Sequence, residues 1–186
     1  MNTENRLLYA YDELGTTTSI GYNNTTAYGL VKFTADTNQF LTGLGTYSLS
    51  SGTVIDFEVY TTKSGDDLDN MVAVSKGIVC DYPGYYKVDL EKEIPIAKNE
   101  DFYIKVKYDA PENTYPLPVE VELEEVAYPE IEENCCWISP DGKGWHKTGA
   151  DVSGDEMDLC IKAYSVIRQE DTAAYDPGFS VFPNPA

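Results

Sequence analysis

Two-residue alternation of apolar and polar side chains dominates this chain. Ile55, Phe57 and Val59 fall on one face of a run in which Asp56 and Glu58 fall on the other, the pattern of a half-buried strand. Phe102, Ile104, Val106 and Tyr108 alternate with Lys105 and Lys107 in the same way. Leu117, Val119, Val121 and Leu123 alternate with Glu120, Glu122 and Glu124, which predicts a strand with its glutamates in solvent. Further strands are expected over Leu7 to Tyr11, Gly29 to Ala35, Phe40 to Leu49, Val72 to Cys80, Tyr85 to Leu90 and Leu159 to Val166. Turn clusters divide them: SSG at 50, KSGDD at 63, YPG at 82 and SPDGKG at 139.

No long window keeps an apolar stripe at helical spacing, apart from a turn or two expected near Asp67 to Val72. About ten strands at this spacing predict an all-β fold, a two-sheet β-sandwich of jelly-roll-like form. Two sheets each bury one alternating face, giving a core roughly 10 Å thick. The expected division is a polar lead over 1–8, the sandwich over 9–166, and a Pro-containing linker over 167–186. The last segment, with Pro177, Pro183 and Pro185, carries little patterning, and both ends read as cut from a longer polypeptide.

Length and composition narrow this further. A chain of 186 residues suits one domain with a sizeable core, and 42% hydrophobic residues, with 15 Tyr, place it among globular proteins rather than acidic disordered tails. Thirteen Lys and Arg against 32 Asp and Glu leave a formal charge of −19, so the general field repels nucleic acid and anionic lipid. No run of about 18 apolar residues is present to span a membrane, and the opening residues lack the pattern of a secretory signal.

The common catalytic signatures are missing. His146 is the one histidine, in the turn GKGWHKTG, and there is no GxSxG, HExxH or phosphate-cradling glycine loop. The segment is therefore read as non-catalytic. Cys80, Cys135, Cys136 and Cys160 lack the paired spacing of a zinc ribbon; one bridge from the adjacent pair to Cys80 or Cys160 and four buried thiols are both compatible with the spacing. Acidic loops make structural calcium a candidate cofactor, since this ion takes carboxylate and carbonyl oxygens. Three sets qualify: Asp66, Asp67 and Asp69; Asp151, Asp155, Glu156 and Asp158; and Asp12 and Glu13 meeting Asp158 where the first and last strands lie side by side.

Loop aromatics supply the other candidate chemistry, because a sugar stacks its C–H faces on Tyr or Trp while its hydroxyls bond to Asn and Asp. Tyr22, Asn24, Tyr28, Tyr85 and Trp145 are the expected ligand-binding residues. Asn23-Asn24-Thr25 and Asn24-Thr25-Thr26 are also N-glycosylation acceptor patterns in an exported chain, which marks their loop as surface.

Several phrases together are more specific than any one of these signals. YDELG, SIGYNNTTAYG, FTA, LTGLGTYSL, GYYKVDL, YPLPVE, ISPDGKGW and CIKAYS, in that order over about Tyr9 to Val166, resemble the lectin-like domain that accompanies papain-type cysteine peptidases of archaea and bacteria. Where that family commonly has a Trp after the opening Leu-Gly, this sequence has Thr16, and Cys135-Cys136-Trp137 replaces a Glu-Ser-Tyr-like phrase. The resemblance implies a non-catalytic accessory module downstream of a papain-type peptidase domain in an extracellular or cell-surface protein. Substrate or surface attachment follows, with a glycan or cell-surface polymer as ligand. The alternative is a structural spacer or docking domain that stabilises the neighbouring peptidase.

Overall fold

The computed structural model describes residues 5–168. Thirteen strands and no helix make up these residues, and every pairing is antiparallel. One layer is a six-stranded sheet. Its strands, from one edge to the other, are β11 (His146–Thr148), β10 (Cys136–Ser139), β3 (Thr26–Thr34), β8 (Asp101–Asp109), β5 (Thr53–Ser64) and β6 (Asp67–Cys80). Facing it is a four-stranded sheet, in order β1 (Asn5–Tyr9), β13 (Ile161–Ile167), β4 (Gln39–Ser48) and β7 (Gly84–Ile96). A small third sheet joins β12 (Asp158–Leu159), β9 (Leu117–Glu120) and β2 (Thr18–Ile20). The chain passes from β12 to β13 through Cys160, whose N–H donates to the Pro118 carbonyl, so one segment belongs to two sheets. This is a β-sandwich, as the alternation predicts.

The inward faces are those the alternation marks. Ile55, Phe57 and Val59, with Phe102, Ile104, Val106 and Tyr108, are buried from the large sheet, and Leu41, Leu44, Ile94, Ile96, Ile161 and Ala163 from the other layer. Tyr108 crosses the gap. Its hydroxyl bonds Thr46 Oγ1 at 2.7 Å, and Thr46 in turn donates to the Cys160 carbonyl at 2.8 Å, so the polar tip of a fully buried ring is satisfied between layers. Gly29 is required by the layer spacing: a Cβ there would meet Leu159 and Ile161 methyls at 3.2 Å.

Four expectations change. The helical turn near Asp67 to Val72 is strand, because Asp67 and Asp69 pair with Ser64 and Thr62 in a hairpin tied by Gly65 and Asn70 at positive φ. The strand expected over Leu117 to Glu124 stops at Glu120, and Glu120 is fully buried, not solvated. Its carboxylate accepts the backbone N–H groups of Glu13, at 2.9 Å, and Leu14, which have no strand partner, so the acid replaces ladder bonds. Strand β1 begins at Asn5, inside the expected lead, since Asn5 pairs with Ile167. Short strands β2, β10, β11 and β12 add to the expected set, being too short to show alternation. The linker beyond 168 lies outside the described residues.

Candidate functional site

The opening stretch is anchored before it reaches any surface. Tyr9 packs edge-on to Phe102 at 5.6 Å and donates to Gln39 Oε1, while Tyr11 stacks on Phe33 at 4.8 Å and donates to the Lys32 carbonyl. Asp12, with no exposed side-chain surface, pairs at 2.5 Å with Lys162 of the last long strand. First and last strands do lie side by side, as the calcium expectation requires. The chain then reaches the loop of Tyr22 and Asn24 and enters β3.

Strand β3 carries Tyr28 on the outward face of the six-stranded sheet. Cross-strand register puts Tyr28, Lys107 and Asp56 in one row, and Trp137, Leu30, Lys105 and Glu58 in the next. The resulting recess, about 240 Å³, is lined by Tyr28, Asp56, Glu58, Lys76, Lys105 and Lys107. Glu58 accepts Lys105 at 3.1 Å, Lys76 at 3.3 Å and the Tyr60 hydroxyl at 2.8 Å. Burial opposes its ionisation, but these three donors outweigh burial and hold its carboxyl below the usual range. The same arrangement raises Tyr60 to about 12, through burial first and the neighbouring carboxylate second. Lys105 also lies over the Tyr28 ring, 5.5 Å from its centroid. Asp56 is occupied by the Gly77 N–H, so Lys107 has no ion-pair partner among the described residues. In a chain of net −19, this recess sets three lysines against the two carboxylates of Asp56 and Glu58.

Of the expected ligand-binding residues, several share this end of the sandwich. Tyr28 packs under Gly142 of the SPDGKGW turn, where a Cβ would sit 2.9 Å from its ring. That turn is built by Asp141, which accepts the Lys143 and Gly144 N–H groups and the Ser139 hydroxyl; those bonds hold its carboxyl below the usual range. Tyr22, half-exposed, lies close enough to Asp155 and Asp141 that burial and then their charges push its phenol up. Asp155 bonds His146 Nε2 at 2.8 Å, next to Trp145, whose ring is half-buried and whose indole N–H is buried without a partner among the described residues. Exposed Asn24 caps the loop by accepting the Thr26 N–H.

Tyr85 is not part of this group. It sits on β7 of the other sheet, edge-on to Tyr47 and bonded to the Tyr164 hydroxyl at 2.5 Å, over Gly45. Gly45→Ala puts a methyl into the Tyr85 phenol; displacing it should cost about 1–3 kcal/mol, read as a fall in urea midpoint at constant slope. Alternation cannot separate Tyr85 from Tyr28, because each is an outward aromatic beside a turn. Lys76, Lys105 and Lys107 escape notice as site residues for a related reason: each reads as the solvated half of a strand.

The expected calcium sets do not assemble. Asp12 is on Lys162, Glu13 is exposed, and Asp158 lies against the Glu132 N–H and the Cys136 thiol, and among the described residues these three acids do not bring their oxygens within 4.8 Å of one another. Asp66, Asp67 and Asp69 line a hairpin, while Asp151 and Asp155 are held by Lys147 and His146 and Glu156 accepts the Gly154 N–H. Among the described residues, three ligating atoms come within 4.8 Å of one another at Cys135, Cys136 and Asp158, all buried. The four cysteines are buried thiols, and none is bridged to another. Burial pushes the Cys136 and Cys160 thiols well up, and Cys80 upward too.

A family model described as "Lectin like domain" matches residues 8–165. No curated protein matches the sequence. Among solved structures, the clostridial cysteine protease Cwp84 after propeptide cleavage superposes with a TM-score of 0.66 at 17% identity, covering 86% of this chain and 40% of that one. The cysteine protease and lectin-like domains of Cwp84, described as a surface-layer associated protein of Clostridium difficile, give 0.63 at 15% identity, covering 86% and 36%. At these identities the likeness is one of fold, and this chain spans less than half the length of either structure.

Proposed function

Because this chain belongs to the lectin-like domain family, we propose that it is the non-catalytic attachment module of a cell-surface cysteine peptidase and that its ligand is carbohydrate. The observation that carries the reading is the recess on the outward sheet face, where Tyr28, under Lys105, shares the lining with Asp56, Glu58, Lys76 and Lys107, and Lys107 is unpaired among the described residues. Stacking on Tyr28 suits a sugar ring, Glu58 accepts hydroxyls, and Lys107 suits a carboxylate, so a uronic-acid polymer fits better than a neutral one. A non-catalytic role accords with four buried thiols, of which burial pushes those of Cys136 and Cys160 well up. The Cwp84 likeness, in which a protease domain and a lectin-like domain share one chain, supports a peptidase domain as the partner. A papain-type Cys and His encoded upstream of Met1 would bear that out, and an unrelated upstream sequence would remove it.

The binding test titrates the chain with hyaluronate and, in parallel, with neutral dextran. Hyaluronate should bind more tightly, and Tyr28→Ala should weaken it by at least about tenfold. Lys107→Ala should abolish the preference over dextran and flatten the salt dependence, because an exposed ion pair is screened by salt. Failure of both polymers to bind at millimolar concentration would overturn the carbohydrate reading. Equal binding of the Tyr28→Ala variant would move the site elsewhere.

A further inference from the structure

Three carboxylates are fully or nearly fully buried in this fold, and only one has a cation among the described residues. Asp12 holds Lys162, and Glu120 holds two backbone N–H groups. Asp158, with no exposed surface, has the Glu132 N–H at 3.2 Å and the Cys136 thiol at 4.0 Å, both weak, and no described lysine or arginine within ion-pair distance. A buried anion without a positive partner is costly. The local backbone aims two sulfurs at it. Adjacent residues on a strand normally point to opposite faces, but Asn134 takes φ of 60° just before β10, and Cys135 and Cys136 both turn inward with their sulfurs 3.6 Å apart.

We propose that Cys135, Cys136 and Asp158 form a binding site for a single zinc-class dication. Tetrahedral zinc, with Zn–S of about 2.3 Å and Zn–O of about 2.0 Å, sets sulfurs roughly 3.8 Å apart and sulfur to oxygen roughly 3.5 Å apart. The Cys135–Cys136 separation of 3.6 Å is near the sulfur–sulfur value, Cys136 and Asp158 at 4.0 Å must close by about half an ångström, and all three ligating atoms lie within 4.8 Å of one another. Two thiolates and a carboxylate select a borderline-soft ion over calcium or magnesium, which take oxygen alone. On binding, the two thiol protons, and the Asp158 proton where the carboxyl holds one, pass to solvent; two thiolates, one carboxylate and the dication then carry one net negative charge with water in the fourth position. The fourth position falls to water or to the carboxylate of Glu132, whose N–H already lies on Asp158. The site would clamp the acidic 121–134 segment onto β10 and β12, next to the opening stretch.

The reduced, metal-free chain is titrated with cobalt(II) as a visible substitute for zinc. One equivalent should produce a thiolate-to-cobalt charge-transfer band and the intense d–d bands of a four-coordinate ion, and one equivalent of zinc(II) should erase both. Asp158→Asn and Cys136→Ser should each weaken cobalt by at least about tenfold, and Cys80→Ser, outside the cluster, should leave the spectrum unchanged. Near-UV circular dichroism checks that each variant is folded. Absence of the charge-transfer band in the unsubstituted chain overturns the proposal without any variant. Persistence of the band in a folded Cys135→Ser/Cys136→Ser chain also overturns it.

Discussion

Lys162→Met is expected to lower the unfolding free energy by about 3–5 kcal/mol. Lys162 is 13% exposed and Asp12 not at all, and no other described cation is paired with Asp12. One Asp12 oxygen lacks a hydrogen-bond partner among the described residues, so removing the lysine leaves a carboxylate buried beside Glu120 without a described cation. Burial pushes the Asp12 carboxyl up even in the intact pair, so in the variant it would take a proton, which limits the loss to the lower part of that range. Urea unfolding at neutral pH measures the effect, and Asp12→Asn/Lys162→Met should recover a substantial part of it. A loss under about 1 kcal/mol would mean that the pair behaves as a surface ion pair.

Asp158→Asn should stabilise the metal-free chain progressively as pH rises from about 4 to about 7. Burial is the main cause that raises the native Asp158 carboxyl to about 7; Glu132, Glu120 and Asp12 push the same way, against the Glu132 N–H. A free aspartate in the unfolded chain ionises near ~3.9. Below that value both states hold the proton. Between the two values the unfolded chain has released a proton that the native chain keeps, so the native state loses ground with every unit of pH, reaching roughly 2–4 kcal/mol by neutrality. The asparagine keeps an acceptor for the Glu132 N–H and has nothing to titrate. Asp12, also raised, contributes the same sign in both proteins, while Glu58 and Asp141, lowered, contribute the opposite. Only the difference between the two stability curves isolates Asp158, together with whatever Cys136 and Tyr11 contribute beside it. A difference curve that stays flat across that range would show that Asp158 ionises freely in the folded chain.

Both expectations concern residues whose role is invisible in one dimension. Asp12 reads as a calcium ligand because it is acidic and near an expected strand junction; the junction is real, but a lysine occupies the acid. Glu120 sits in a run that alternates as cleanly as Ile55 to Val59 does, yet it is buried, with its carboxylate accepting two N–H groups of the opening stretch. Tyr28 and Tyr85 look equivalent in sequence, and the sheet to which each belongs separates a recess lined by lysines and carboxylates from a tyrosine cluster.

The set of inward faces is written in the amino-acid order alone. Period-two alternation at Ile55, Phe57 and Val59 and at Phe102 to Tyr108 places those side chains in the core of a sandwich whatever the strand order, because a strand has only two faces and burial of the apolar one dominates. The eight phrases of the lectin-like pattern add the family. Which outward and terminal residues meet is a matter of the three-dimensional fold: Tyr28 with Lys107, Asp12 with Lys162, Cys135 and Cys136 with Asp158. Such contacts join residues as many as 150 positions apart in the chain, and they depend on strand order and register, which local alternation leaves open.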